Sequence, residues 1–216
     1  MEILVVAAME MELGPLMEEK RRNSSIGYEV LPLGIGILST AVQLMQRIHE
    51  KKPDLIIQTG IAGGFHEDIH LGKAYCIQSE CLPEMGVQES SGYRDIFDMG
   101  FQDPNGFPFS AKRLINPYAS LMDQTGLKRV NGITVNQITT DPHQISIYSA
   151  HYQADVESME GAAVHYIALL HQIPFIQIRG ISNRVGERGT ANWKFNEAIA
   201  SSTEACTRLI HKLHES

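Results

Sequence analysis

The chain has 216 residues, of which 43% are hydrophobic and 20% are charged, and it carries a formal net charge of −7. The length suits one α/β domain with a substantial core, so we predict a single domain over residues 1–216. The acidic balance disfavours nucleic acid and anionic membranes as partners, because both are polyanions, and no stretch approaches the ~20 apolar residues of a membrane span.

The N-terminal half alternates apolar runs with helical patterns. Residues 2–8, EILVVAA, predict a strand buried on both faces, and MEMELGPLMEEK predicts a helix that Gly14 and Pro15 interrupt early. A second strand is expected at YEVLPL, before a helix that Ser39 or Thr40 caps. DLIIQTGIAGGF then predicts a strand followed by a glycine-rich turn.

The C-terminal half continues the alternation. Residues 73–137 are typical of strands and loops, and ADVESMEGAAVHYIALLHQIP predicts a strand followed by a helix. FIQIRGIS predicts the next buried strand, and residues 193–213 predict a closing amphipathic helix in which Trp193 and Phe195 are interpreted as packing aromatics. Strands alternating with helices predict an α/β fold whose mostly parallel sheet has helices on both faces.

The three cysteines indicate the compartment. Cys76, Cys81 and Cys206 show neither a CxxC motif nor the spacing of metal ligands. An odd number of cysteines without a secretion signal predicts free thiols in a reducing cytoplasm. Glu2 stands where a signal peptide would carry positive charge. We therefore expect a cytoplasmic protein, and we predict no metal site.

Residues suited to ligand binding follow four of the predicted strands, at the sheet edge where ligands bind in open parallel sheets. They are Glu10 and Glu12, residues 60–64, residues 157–160 and residues 182–183. Each has a simpler interpretation: first-turn carboxylates stabilise a helix N-terminus, glycines allow a tight turn, and an asparagine caps a loop. TGIAGG has neither the Rossmann spacing nor a Walker lysine, which argues against a nucleotide-phosphate loop.

Four segments together resemble the nucleoside phosphorylase/nucleosidase superfamily in their sequence and in their order along the chain: ILVVAAMEMEL, TGIAGGF, VESMEGAAVHYIALLHQIPFIQIRGISN and NEAIASS. The likeness spans nearly the whole chain and is weakest over residues 84–125. It implies a single-domain three-layer sandwich with a mixed, mostly parallel central sheet flanked by helices. It also implies a purine nucleoside as the small-molecule partner, no cofactor, and a homo-oligomer of two or more copies.

The resemblance implies individual roles for several residues. Cleavage of an N-ribosidic bond builds positive charge on the ribose and negative charge on the purine, so a hydrolase needs a base for water and polar partners for sugar and purine. Glu12 falls where a carboxylate orients and deprotonates the water, and Glu160 falls where one binds the ribose 2′- and 3′-hydroxyls. Met159 would lie against sugar and base, and the loop at Ala62 and Gly63 would line the base and the water.

The acidic residues after the first strand favour water over phosphate as the nucleophile. A phosphorylase needs cations and backbone amides to hold phosphate beside the sugar. Here Glu10 and Glu12 follow the strand, and two carboxylates repel a phosphate dianion. Glu10 remains the alternative base. The sequence therefore favours the hydrolase branch of the superfamily.

Asn183 favours a purine with oxygen at its 6-position. The adenine-specific nucleosidases carry an aspartate at the matching position. An amide donates to a 6-oxo group and accepts from a protonated N7, and a mismatched buried polar group costs roughly 1–3 kcal/mol. This pattern resembles the futalosine hydrolases, which release hypoxanthine from futalosine in menaquinone biosynthesis. The alternatives are an adenine-releasing nucleosidase acting on methylthioadenosine, S-adenosylhomocysteine or aminofutalosine, and, less favoured, a non-catalytic nucleoside-binding protein.

The benzoate of futalosine implies an arginine near the 5′ end of the substrate. Arg94, Arg184 and Arg188 are the candidates, and Arg184 follows the predicted purine-binding residue directly. A neighbouring subunit could also supply this group. The adenine-specific enzymes stack an aromatic side chain on the purine from the segment that matches VNQITTDPHQI, where this chain offers His143 or Ile138 instead.

Overall fold

Strands and helices alternate along the chain in this computed structural model, which describes residues 1–22, 27–90 and 92–215. The strands are β1 (Ile3–Ala7), β2 (Glu29–Pro32), β3 (Leu55–Gln58), β4 (Ile61–Gly64), β5 (Ala74–Cys81), β6 (Gly86–Glu89), β7 (Gly92–Asp95), β8 (Leu114–Ile115), β9 (Arg129–Thr134), β10 (Val156–Ser158) and β11 (Phe175–Arg184). The helices are α1 (Glu10–Arg22), α2 (Ile37–Glu50), α3 (Ala119–Gln124), α4 (Pro142–His151), α5 (Gly161–Leu170) and α6 (Phe195–Glu215), with a 3₁₀ turn at Thr190–Asn192. None of these helices is both long enough and apolar enough to cross a bilayer.

Nine of these strands form one mixed sheet in the order β2-β1-β3-β11-β4-β10-β9-β5-β8. The pairs β10–β4, β5–β8 and β11–β5 are antiparallel, and the other pairs in this sheet are parallel. Because β5 also pairs with β11, the strands β11, β4, β10, β9 and β5 close into a ring. The hairpin of β6 and β7 stands apart as a small second sheet.

The first strand shows why the sheet is covered on both faces. Ile3 and Val5 pack with buried residues of α1 and α6, whereas Leu4 and Val6 pack with buried residues of α2 and α5. Successive side chains of a strand point to opposite faces, so an uninterrupted apolar run needs a helix layer on each side. The predicted α/β three-layer sandwich with a mixed, mostly parallel sheet is confirmed.

The predicted break in the first helix is wrong, because α1 runs through Gly14 and Pro15 without interruption. Leu13 and Leu16 are fully buried in the core, and Pro15 lies on the exposed side. The N–H that Pro15 lacks would have bonded to the carbonyl of Met11, one turn earlier and also on the exposed side. Water can satisfy that carbonyl, so the buried leucines keep the helix continuous.

The predicted cap of the second helix is also wrong. Gly36 is the N-cap of α2, in the left-handed region with φ 86°, and it makes no side-chain cap hydrogen bond. Ser39 and Thr40 lie inside the first turn, where their hydroxyls donate to the carbonyls of Leu33 (2.8 Å) and Gly34 (3.3 Å). These hydroxyls tie the helix to the end of β2 instead of starting the helix.

Two helices lie where the sequence predicted strands and loops or gave no prediction. α3 falls within the region predicted as strands and loops, and α4 directly precedes β10. The side chain of Asp141 caps α4 by accepting from the N–H of Gln144 (2.9 Å), and Pro142 occupies the first turn. That cap was visible in the sequence. The apolar periodicity was too weak to reveal the helix, because Tyr148 is its one buried residue among the described positions.

Candidate active site

A cavity of about 210 Å³ opens where β1, β10 and β11 end and β4 passes beside them. Six of the seven residues predicted for the site line this cavity: Glu12, Ala62, Gly63, Met159, Glu160 and Asn183. They come from four segments that lie far apart in the chain, and the strand order β11-β4-β10 places three of these segments side by side.

Glu12 lies in the first turn of α1 with its carboxylate turned into the protein, where 2% of the residue is exposed. Its Oε1 accepts from the N–H of Ile61 and its Oε2 from the N–H of Met9, each at 3.0 Å. Burial raises the pKa of Glu12, and the charge of Arg179 and the two N–H donors oppose that rise. Glu10 is exposed and lies outside the cavity. Of the two acids, Glu12 has the position and the fixed geometry of a base for water.

Arg179, which the sequence analysis did not single out, is a fully buried cation close to both site carboxylates. Its Nη2 lies 3.5 Å from Oε2 of Glu160, and its Nη1 donates to the carbonyl of Ile61 (3.4 Å). A Cβ at Gly60 would lie 2.7 Å from this Nη1 and 2.8 Å from Oε1 of Glu12. The signal in the sequence was a single charged residue inside the apolar run FIQIRGI. A buried charge of this kind needs partners, and the two carboxylates provide them.

Glu160 lies at the N-cap of α5 without capping that helix by its side chain. Its Oε1 accepts from the N–H of Gly36 at 3.0 Å, which links the end of β10 to the start of α2 across the cavity. The other oxygen faces Arg179. A carboxylate held at both oxygens in this way keeps free lone pairs that can accept from two neighbouring hydroxyl groups.

Asn183 lies near the end of β11, with its amide held by two neighbours. The hydroxyl of Ser182 donates to Oδ1 (2.8 Å), and Nδ2 donates to the carbonyl of Arg184 (2.8 Å). One hydrogen on Nδ2 and one lone pair on Oδ1 remain for a ligand. The register between β11 and β4 shifts between Ile181 and Asn183, and Asn183 pairs with Gly63 after that irregularity.

Trp193, which the sequence suggested as a packing aromatic, forms part of the cavity wall. Its indole Nε1 is buried and has no hydrogen-bond partner among the described residues. Of the two candidates for stacking on the purine, Ile138 lines the cavity. His143 does not line it and instead faces a separate cavity beside Tyr93.

Arg184 is the one predicted site residue that the structure places elsewhere. Its guanidinium donates to the main-chain carbonyls of His66, Glu67 (3.3 Å) and Ile69 (2.5 Å), and it does not line the cavity. The neighbours Ser182 and Asn183 both line the cavity, whereas the Arg184 side chain extends to the main chain of the 66–69 loop. We therefore correct its assignment from substrate binding to holding the 66–69 loop.

The other two arginine candidates differ in their distance from the cavity. Arg94 lies in the β6–β7 hairpin, where its guanidinium is 3.6 Å from the carboxylate of Glu89. Arg188 is exposed, and its guanidinium lies 5.8 Å from the ring centre of Trp193. Since Trp193 lines the cavity, Arg188 is the candidate adjacent to the cavity wall.

The charges around the cavity favour a developing cation over an anion. Glu12, Glu157 and Glu160 line it, and among the described lining residues none is Lys, Arg or His. Arg179 lies behind the wall, where its charge is shared by carboxylates. Such a cavity stabilises positive charge on a bound sugar and repels a phosphate dianion.

Comparison with known proteins identifies the family. The family model described as Phosphorylase superfamily matches residues 2–215. The futalosine hydrolase of Streptomyces coelicolor is 29% identical over 85% of this chain and 78% of its own length. The 5′-methylthioadenosine/S-adenosylhomocysteine nucleosidase of Bacillus velezensis is 28% identical over 99% of this chain and 100% of its own length.

The fold has close counterparts among solved structures. The futalosine hydrolase of Helicobacter pylori superposes with a TM-score of 0.81 at 16% identity, covering 98% of this chain and 97% of that one. The family resemblance and the fold predicted from the sequence are therefore confirmed. The chain belongs to the Phosphorylase superfamily, and it is an enzyme of that family's nucleosidase type, an N-glycosyl hydrolase.

Proposed function

We propose that this chain hydrolyses the N-ribosidic bond of futalosine and releases hypoxanthine, a reaction that would place it in menaquinone biosynthesis. The observation that carries hydrolysis is the cavity wall, where three carboxylates and no cationic side chain occur among the described residues. Water is neutral and tolerates that wall, whereas phosphate does not. The similarity to the futalosine hydrolase of S. coelicolor supports the choice of substrate.

In this reaction Glu12 takes the proton from water and Glu160 binds the ribose hydroxyls. The fixed carboxylate of Glu12 and its raised pKa support this role, because they make it a stronger base than an exposed carboxylate. Glu160 lines the cavity, and its negative charge also stabilises the positive charge that develops on the sugar. Met159 and the backbone of Ala62 and Gly63 complete the wall around sugar and base.

Asn183 is the proposed partner of the departing purine. Ser182 and Arg184 hold its amide so that one N–H and one carbonyl lone pair are free. The free N–H suits O6 of hypoxanthine, and the carbonyl suits a protonated N7. Arg188, next to Trp193, is the remaining arginine candidate for the benzoate of futalosine.

The alternative function is release of adenine from methylthioadenosine or S-adenosylhomocysteine. Similarity to the nucleosidase of B. velezensis over nearly the whole chain supports it. The amide at Asn183 argues against it, since adenine presents an amino group where the amide also donates.

A homo-oligomer and a cytoplasmic location complete the proposal. Leu38, Val42 and Met45 lie four and three residues apart on α2 and are 78%, 54% and 39% exposed. This apolar stripe adjoins Ile35 at the cavity, and its burial against a second copy would remove it from water. The free, buried state of all three cysteines suits the cytoplasm.

The test offers the purified protein futalosine, inosine and methylthioadenosine, with and without phosphate, and identifies the released base and sugar by chromatography. We expect hypoxanthine from futalosine and a free sugar, at a rate that phosphate does not change. A sugar phosphate among the products contradicts hydrolysis. Adenine released from methylthioadenosine in preference to hypoxanthine from futalosine supports the alternative.

A further inference from the structure

Glu157 is a buried carboxylate on the cavity wall to which the roles above give no task. The residue is 6% exposed, and it lines the cavity beside Ser158 and Met159. Its Oε1 accepts from the N–H of Thr139 at 3.0 Å, and its Oε2 accepts from the hydroxyl of the same threonine. A carboxylate oxygen has two lone pairs, so each oxygen retains one for a ligand.

The sheet register places Glu157 opposite Asn183 across one glycine. Glu157 pairs with Gly63 between antiparallel β10 and β4, and Asn183 pairs with the same Gly63 between parallel β11 and β4. Residues in register share a face, and two strand spacings separate the two backbones by roughly 10 Å. A Cβ at Gly63 would lie 3.0 Å from Cγ2 of Val185 and 3.5 Å from Nδ2 of Asn183, so glycine at this position leaves room beside the amide.

The two functional groups together match the edge of a 6-oxopurine. Such a base carries O6 beside an N1–H donor, whereas adenine carries an amino group beside an N1 acceptor. An amide on one side supplies a donor for O6, and a carboxylate on the other supplies an acceptor for N1–H. We propose that Glu157 is a specificity-determining residue that accepts from N1–H of the purine while Asn183 pairs with O6 and N7. This inference rests on the proposed function, and it names the group that reads N1.

The hydrogen bonds to Glu157 influence whether its carboxyl is ionised or protonated. Burial raises the pKa of this carboxyl, the two hydrogen bonds from Thr139 oppose the rise, and the charge of Glu84 adds to it. An N1–H donor adds another hydrogen bond that favours the carboxylate. A protonated Glu157 would instead donate to N1 of adenine, so the test has to compare both bases.

The experiment measures binding of hypoxanthine, 1-methylhypoxanthine and adenine to the full chain by calorimetry, in wild type and in Glu157→Gln. Glutamine keeps one oxygen, which accepts from the N–H of Thr139, and puts an NH₂ donor in place of the other oxygen, so one acceptor facing N1–H becomes a donor. We expect hypoxanthine to bind roughly 10- to 100-fold more weakly in the variant, while adenine does not weaken. In wild type, 1-methylhypoxanthine should bind more weakly than hypoxanthine by at least the same factor. Glu157→Ala should remove most of this difference between the two bases.

Glu84→Gln is the matched control. Glu84 is exposed and binds the N–H and side chain of Asn136 in the same segment as Thr139, without lining the cavity. Its substitution removes a charge that raises the pKa of Glu157, which favours the carboxylate form, so hypoxanthine binding should not weaken relative to adenine. If Glu157→Gln fails to fold, Thr139→Val removes one of the two donors that hold the carboxylate, and it should weaken hypoxanthine binding in the same direction.

The outcomes separate this inference from the proposed function. A wild-type preference for hypoxanthine that survives both Glu157→Gln and Thr139→Val overturns the role of Glu157 and leaves the proposed function standing. Wild-type release of adenine in preference to hypoxanthine overturns the proposed function, and the role of Glu157 fails with it. Loss of the hypoxanthine preference in Glu157→Gln but not in Glu84→Gln supports the inference.

Discussion

Replacing Glu12 by glutamine removes the proposed base while keeping the size of the side chain. Both carboxylate oxygens accept from main-chain N–H groups, Oε1 from Ile61 and Oε2 from Met9. An amide has a single oxygen, so its NH₂ group has to face one of these two N–H donors. The substitution therefore changes proton transfer and one buried hydrogen bond at the same time.

The two effects have different sizes and different readouts. Loss of a general base lowers turnover by about 10²–10⁴-fold. One unmatched buried donor costs about 1–3 kcal/mol in the free energy of unfolding. Arg179 also loses the charge of Glu12 and keeps that of Glu160, at 3.5 Å. We expect a folded, less stable protein that binds nucleoside and hardly cleaves it.

The assay combines steady-state release of the purine base with urea denaturation of the same preparations. Glu10→Gln is the control, because Glu10 starts the same helix but is exposed and outside the cavity. It should leave both turnover and stability near wild type. Near-normal turnover of Glu12→Gln, or a loss equalled by Glu10→Gln, would refute the assignment of Glu12 as base.

Three further predictions concern pH, the correction to Arg184, and the purine. Glu80 is fully buried, and burial raises its pKa from 4.5 to about 7 although Gln177 and Thr134 donate hydrogen bonds to the carboxylate, so the folded state favours the protonated form. The free energy of unfolding should therefore fall by up to about 3 kcal/mol as pH rises from about 4.5 to 7, and Glu80→Gln should flatten that slope in urea titrations. Arg184→Met removes three hydrogen bonds to the 66–69 loop, so the melting temperature should fall while KM for futalosine changes little. A large rise in KM without loss of stability would show that Arg184 binds substrate. Asn183→Asp places an ionised carboxylate against acceptors of the departing 6-oxopurine, so hypoxanthine release should fall on the order of 10²-fold and adenine nucleosides should gain relative to it; an unchanged rate and preference would leave Asn183 as a loop cap.

Local patterns were sufficient for most of the architecture. The residues of β1, ILVVA, are apolar without alternation, and such a run requires burial on both faces wherever it lies in the sheet. Helix boundaries were less secure, because Ser39 and Thr40 looked like caps while their hydroxyls bond to carbonyls of the preceding loop. Pro15 looked like a break, and the burial of leucines on the opposite side of α1 outweighed the lost hydrogen bond.

The candidate site was predictable where a residue lies close to the end of a predicted strand. Glu12, Glu160 and Asn183 each lie near the end of a predicted strand, and all three line the cavity even though β10 runs antiparallel to β4 and β11. The direction in which a side chain points was not predictable. Arg184 and Asn183 are neighbours in sequence, yet Asn183 lines the cavity while Arg184 binds main-chain carbonyls of the 66–69 loop.

Long-range contacts determined the rest of the site. Arg179 could be recognised as a buried charge, but its partner Glu160 lies on another strand end and its carbonyl partner Ile61 is 118 residues away. Glu157 and Asn183 become neighbours only because β4 lies between β10 and β11, with Gly63 in register with both. Such pairings depend on strand order and register, and these follow from the packing of the whole sheet between its helices. No short window of sequence contains that information, because the groups that meet at Gly63 come from three separate parts of the chain.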